Sequence, residues 1–255
     1  MLSYPAAITL STRTLNHLAD LIRGHRQQQR SRWRRLDPGQ QALLTLAHLR
    51  NGDTYRRLAA GFAIGTSTVY RYLREAIDLL AAHALPLHRA VYLAARLLFV
   101  ILDGTLVPID RIAEDRPYYS GKHKRHGVNV QVLADSRGRL LWASPALPGS
   151  THDLTAARRH GVITALIKFG VACYADAAYQ GAGPVVAVAF RRRPKRLSRN
   201  QKAVNRNHAR NRAPGERAVA TLKTWKVLSK LRCCPRRATA IINAIRVLQT
   251  VEEQH

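Results

Sequence analysis

Acidic residues are scarce in this chain: 15 Asp and Glu stand against 42 Lys and Arg over 255 residues, a formal charge of +27. An imbalance of that size points to a polyanionic partner and away from a cationic one. Long apolar runs are missing too. No stretch reaches the roughly 18 residues that cross a bilayer, and the basic residues are spread along the chain instead of lining one amphipathic helix. Membrane is therefore the disfavoured polyanion, and nucleic acid the favoured one. Cysteine is sparse: Cys173, Cys233 and Cys234 form neither a CxxC pair nor a metal-ligand spacing, and neighbouring cysteines rarely bridge each other, so they read as reduced thiols. The opening MLSYPAAITLSTRTL lacks a charged segment followed by a long apolar core, so no signal peptide is expected and the chain is placed in the cytoplasm, on the chromosome.

Hydrophobic residues, by contrast, make up 46%. That suffices for a sizeable core, and one large domain plus a small one is the expectation. Leu15, Leu18, Leu21 and Ile22 recur at helical spacing behind Ser11 or Thr12 as N-cap. A basic stretch, GHRQQQRSRWRRLDPG, then leads to a second helix begun by Asp37-Pro38 and closed by Asn51-Gly52. The stretch serves equally as a DNA-contacting arm or a solvated linker. Over Asp53–Ala82 a helix from Thr54 to about Phe62, a turn at Ala63–Gly65 and a second helix through Leu80, capped by Thr66 or Ser67, give a helix-turn-helix layout. Ser67, Thr68, Arg71 and Tyr72 lie on the N-terminal part of the second helix, where they would meet base edges or phosphates. The competing reading is a helical hairpin that only caps the main domain.

Beyond Leu85-Pro86 the pattern changes. LLFVIL, a run of six apolar residues, ends at Asp103. It reads as a strand buried on both faces, and a carboxylate there is costly unless a cation or donors meet it. Asp-Gly between apolar residues is also a strong hairpin-turn signal, which would make Asp103 a turn residue. Gly127–Ala134 and Arg139–Pro145 form a hairpin around Asp135–Gly138. Lys122, Lys124 and Arg125 lead into it, either facing a phosphate backbone or as solubilising charge. Ser150 and Asp153 have capping-box spacing before a short helix, which gives Asp153 a structural task. GVACYADAAYQGAG repeats the first situation, an apolar strand ending in Asp176, and ten Lys or Arg with no acid follow across residues 191–212. Pro214 marks a helix start that puts Glu216 in a first turn, where an acid also suits the helix dipole. A last helix, Pro235–Glu253, is expected to cover the sheet.

Two aspartates at strand ends and a glutamate at a helix start suit two divalent metals about 4 Å apart, since carboxylate oxygens are the ligands Mg²⁺ and Mn²⁺ prefer and such a pair serves phosphoryl transfer. LDGTLVPI, YYSGKHKRHGVNVQVLAD, PGSTHDLTAAR, YADAAYQG and GERAVATLK, in that order behind a helix-turn-helix, resemble the DDE transposases of bacterial insertion sequences, in the branch related to the Harbinger transposases. The resemblance covers about residues 40–230. It implies an α/β fold: an RNase H-like catalytic core, a mixed central sheet flanked by helices, over residues 87–255, preceded by a small all-α region over residues 1–86 with the helix-turn-helix at about 38–82. It also implies the catalytic and metal-binding triad Asp103, Asp176 and Glu216, with Asp153 outside it, Mg²⁺ or Mn²⁺ as cofactor, double-stranded DNA of the element ends and target as partner, and a homo-oligomer on that DNA. The implied reaction is phosphodiester hydrolysis followed by strand transfer. A non-catalytic regulator derived from a transposase would keep the basic surface without needing the acids. An RNase H-like repair nuclease would not need the helix-turn-helix.

Overall fold

The structure is a computed structural model and describes residues 8–30, 34–110, 116–191 and 196–253. Residues 31–33 of the basic stretch, 111–115 and 192–195 lie outside the described residues. Two compact units emerge: Met1–Ala84 with Lys223–Leu231 and Arg237–His255, and Leu85–Leu222 with Arg232–Arg236.

The first unit is helical. The Ser11 hydroxyl accepts from the Thr14 N–H to open α1 (Thr12–Gln28), and a capping box between Asp37 and Gln40, with Pro38 in the first turn, opens α2 (Pro38–Leu46). One π-helical turn, Ala47–Asn51, ends at Gly52, whose φ of 71° favours a residue without a Cβ. α3 (Tyr55–Gly61) and α4 (Thr66–Ala82) give the helix-turn-helix layout. Between them Ala63 sits at φ 51°, the left-handed region that glycine occupies at less cost. The residue capping α4 is Gly65, not the expected Thr66 or Ser67, and it offers no side-chain oxygen. Val69, Tyr72, Leu73, Ala76, Ile77 and Leu80 are buried at three- and four-residue intervals, so one face of α4 belongs to the core. In the basic stretch, the guanidinium of Arg26 donates to Leu36 O and Gln41 Oε1, and Arg34 pairs with Glu75.

The second unit carries the sheet. After α5 (Leu87–Ala94) come β1 (Val100–Pro108), β2 (Tyr119–Ser120), β3 (Arg125–Asp135), β4 (Leu140–Ala143), β5 (Leu147–Pro148), α6 (Asp153–Arg159), α7 (Val162–Lys168), β6 (Cys173–Ala175), β7 (Val186–Ala187) and α8 (Arg199–Lys223). Strand order is β2-β3-β1-β6-β7, with β4 and β5 also paired to β3. β1, β3 and β4 run antiparallel to one another in turn, whereas β6 and β7 join parallel to β1. The result is the mixed sheet flanked by helices that the resemblance implies. The apolar run before Asp103 is only partly strand: Leu98 is 91% exposed, and the buried segment begins at Val100. Val100, Leu102, Leu133, Val162, Leu166 and Tyr179 lie at the centre of this core. Cys173 and Cys234 are free thiols. Cys173 is buried in β6, which pushes its thiol up to about 12, and Cys234 is exposed.

The closing helix, α9 (Pro235–Glu252), expected from the sequence as a cover for the sheet, groups from Arg237 onward with the first unit, where Arg237 pairs with Asp78 at 2.6 Å and the Glu252 carboxylate accepts from the N–H and hydroxyl of Ser11 at 2.8 Å each. The chain thus returns to its N-terminal helices, whereas the sequence division places everything after residue 86 in one domain. Among the described residues no helix is long and apolar enough to cross a membrane.

Candidate active site

Register brings the two strand aspartates together. The parallel ladder between β1 and β6 ends at Leu102 opposite Ala175, so Asp103 and Asp176 are the next residue on each side. Toward β3 the ladder continues, with Asp103 opposite Val132 and Gly104 opposite Gln131. Asp103-Gly104 is therefore mid-strand, and the hairpin-turn alternative does not apply. The Asp103 carboxyl is pushed up to about 6, first by burial and then by the nearby Asp176 carboxylate. The Arg212 cation and a hydrogen bond donated by the Gly104 N–H, at 3.0 Å, pull the other way. Asp176 opens the 3₁₀ turn Ala177–Tyr179, its Oδ1 accepting from the Ala178 N–H at 2.9 Å.

Glu216 is placed differently from expectation. Pro214 is inside α8, which begins at Arg199, so Glu216 is in the second half of a 25-residue helix and not in a first turn. Proline costs the helix one N–H and does not end it here. Gly215 lies so close to β1 that a Cβ would stand 2.5 Å from Ile101 Cγ2, which seats the helix directly over the strand that carries Asp103. The Glu216 side chain is nonetheless 62% exposed and pairs with Arg212, one turn back, at 2.5 Å. Among the described residues no three acidic, histidine or cysteine side chains converge closely enough to hold a metal ion.

Asp153 is the larger surprise. His152 caps α6 without a side-chain bond, and the Ser150 hydroxyl donates to Pro117 O at 2.7 Å, so the expected capping box does not form. The Asp153 carboxylate instead occupies the space a side chain at 104 would fill: a Cβ on Gly104 would overlap Asp153 Oδ1. That oxygen accepts from Asn129 Nδ2 at 2.8 Å and Gln131 Nε2 at 3.3 Å, and Lys122 Nζ lies 3.5 Å from Oδ2. Gln131 in turn accepts at Oε1 from the Tyr179 hydroxyl at 2.5 Å. Burial and the three nearby aspartates push the Tyr179 phenol well above its usual range, so it stays protonated and donates. Of these partners the sequence alone singles out only Lys122, and for a phosphate, not for Asp153. Asn and Gln at alternate positions of the otherwise apolar VNVQVL are the available signal, since alternation places both on one face of a strand.

A cleft of about 310 Å³ opens beside this group, lined by Gly104, Ser120, Lys122, Ser150, His152 and Asp153 among others. Lys122 stands on its wall, and Lys124 and Arg125 are exposed next to it in the chain. In the first unit, Ser67 and Arg71 are exposed on α4 and Thr68 is half-buried, while Tyr72 is only 3% exposed, its hydroxyl accepting from the Arg35 and Leu36 N–H groups. Tyr72 is thus a packing residue and cannot reach a groove. Tyr70 and Arg74, joined by a 3.2 Å hydrogen bond, occupy the exposed face on which the sequence pattern puts Tyr72.

The sequence profile of the DDE superfamily endonucleases matches residues 102–249, and that of the helix-turn-helix of the same superfamily matches residues 34–86. The chain belongs to the DDE superfamily endonucleases. A protein of Streptomyces albus G named as a transposase for insertion sequence element IS112 is 32% identical over 200 residues, 75% of this chain and 71% of that one. Another, of Microchaete diplosiphon, named as a transposase for insertion sequence element IS702, is 23% identical over 232 residues, 86% of this chain and 83% of that one. No solved structure matches the chain. In this DDE superfamily endonuclease, the adjoining Asp103 and Asp176 supply hard oxygen donors with a shortage of positive charge between them, which is what a divalent cation relieves.

Proposed function

We propose that this chain is a transposase that binds the ends of an insertion sequence, hydrolyses the phosphodiester there and transfers the freed 3′-hydroxyl to target DNA. The observation that carries this reading is the juxtaposition of Asp103 and Asp176 just past the last paired residues of two parallel strands, in a member of a family whose named relatives are transposases. Asp103 and Asp176 would hold Mg²⁺ or Mn²⁺, joined by Glu216 once its side chain leaves Arg212. Bound there, two such ions would supply Lewis-acid activation of the attacking oxygen and stabilisation of the leaving one. The chain's own residues do the rest. Arg212 offsets the negative charge beside Asp103, Lys122 on the cleft wall meets a phosphate oxygen, and Lys124 and Arg125 extend that contact along the backbone. On α4, Ser67, Thr68 and Arg71 face the element's end, with Tyr70 and Arg74 beside them. The protein works as a homo-oligomer that holds both element ends at the chromosome.

The test is incubation of the protein with duplexes carrying its own element ends and Mg²⁺. Cleavage at the element boundary, lost in EDTA, is the expected result. A non-catalytic DNA-binding descendant has one observation in its favour, the Glu216 side chain held by Arg212 away from the aspartates. Site-specific binding without cleavage would select it. Binding should weaken by about a thousandfold or more between 50 and 200 mM salt if six or more phosphates are contacted, and a flat profile would remove the polyanion argument.

A further inference from the structure

We propose that Tyr179, Gln131 and Asp153 form a positioning chain that sets the spacing of the Asp103 and Asp176 carboxylates; this deepens the functional reading above and rests on it. The chain starts on the element that bears one aspartate and ends on the element that bears the other. Tyr179 closes the 3₁₀ turn that Asp176 opens. Its hydroxyl donates to Gln131 Oε1, Gln131 Nε2 donates to Asn129 Oδ1 at 2.8 Å and to Asp153 Oδ1 at 3.3 Å, and Asp153 Oδ1 rests against Gly104, the neighbour of Asp103. Asn129 also donates from Nδ2 to Thr151 O at 3.0 Å, which ties α6's approach to β3. Tyr179 and Gln131 are fully buried.

Apolar packing would fill the same space without the desolvation that buried polar groups incur. What directional bonds add is a single geometry, because every donor and acceptor must be met at once. The geometry they hold is that of the two elements presenting the carboxylates, and the affinity of a carboxylate site for a cation depends on such supporting hydrogen bonds. Gly104 completes the device: only a residue without a Cβ leaves room for the Asp153 oxygen against β1. Asp153, Gln131 and Tyr179 act through the aspartates and are positioning residues.

The experiment measures Mn²⁺ binding to the full chain by the electron paramagnetic resonance signal of free Mn²⁺, for wild type, Tyr179→Phe and Asp153→Leu, each nearly isosteric. Both variants should keep the wild-type circular dichroism and bind DNA normally in EDTA. They should bind Mn²⁺ about tenfold more weakly, with cleavage recovering at raised Mn²⁺. The double variant should lose little more than the weaker single, since the residues act in series. Unchanged Mn²⁺ affinity in folded variants overturns the proposal while leaving the functional reading intact. Failure of both variants to fold also overturns it, reducing the chain to a structural fixture. A wild type that binds no Mn²⁺ removes the functional reading, and this proposal falls with it.

Discussion

The middle of β1 and the first turn of α6 each place an aspartate against the same glycine, and the two carboxylates live under opposite conditions. Asp103 is desolvated by burial and faces a second carboxylate, with one backbone donor in return, so its charge is poorly met and its pKa rises to about 6. Asp153 has two side-chain amides on one oxygen and a lysine near the other. A carboxylate already saturated with donors holds structure together. One left short of them keeps its capacity for something that arrives from solution. The difference separates an acid with room for a cation from one whose oxygens are already met, where sequence spacing alone cannot.

The widest separation between the two should be in cleavage. Asp103→Asn and Asp176→Asn should abolish cleavage of element-end DNA while leaving DNA binding intact on a surface of +27, and Glu216→Gln should follow them. Asp153→Asn should lose about ten- to a hundredfold, recoverable with metal. Equal loss in Asp103→Asn and Asp153→Asn would erase the distinction.

Stability sharpens the comparison further because the signs should differ. The Asp103 carboxyl binds its proton more tightly folded, at about 6, than unfolded, near 3.8. Between those values the folded state holds a proton the unfolded state has released, so stability falls as pH rises through that window and the deficit is complete above it. Without metal at pH 7.5, Asp103→Asn should therefore stabilise the chain, by about 2–3 kcal/mol from the size of the shift. The gain should vanish below pH 4. Asp153→Ala should destabilise by about 1–3 kcal/mol, since it leaves one N–H of each of the Asn129 and Gln131 amides without its acceptor. Thermal melting in EDTA across pH reads both, and a gain of stability in Asp153→Ala would mean its donors are not satisfied as described.

The smallest effect lies away from the acids and serves as their control. Arg71→Ala should cost about 1–3 kcal/mol in binding to the element's own end, with little change on a scrambled duplex, if Arg71 reads a base. Competition binding measures it. A uniform loss on both duplexes would assign Arg71 to phosphate, and no loss on either would remove α4 from the DNA-binding surface.

Much of this fold and half of its acidic site are legible in the amino-acid sequence. Asp103 and Asp176 each follow an apolar run, and that pattern marks where a buried strand yields to polar chemistry; the hairpin of β3 and β4 and the helices around Ala63 announce themselves through turn residues and periodicity. Three features stay hidden for identifiable reasons. Ser150 and Asp153 share the spacing of a capping box, and only the seating of α6 against β1 and β3 brings the carboxylate to Gly104 instead. Pro214 has a backbone angle compatible with a first turn, and nothing local reveals that α8 begins fifteen residues earlier, at Arg199. Tyr72 sits one position from the exposed face of α4, a rotation of about 100° that periodicity resolves only once the buried stripe is known. In each case the missing information is tertiary.

The thiol in β6 has a practical consequence for anyone studying how this sheet opens. Cys173, three residues before Asp176 and held far from its thiolate form, should be inert to alkylating or disulfide reagents while the sheet is closed, whereas Cys234 at the surface should react at once. The slow phase of thiol labelling in the native chain is then a clock for the opening of the strand on which the second aspartate depends, and it needs no introduced probe.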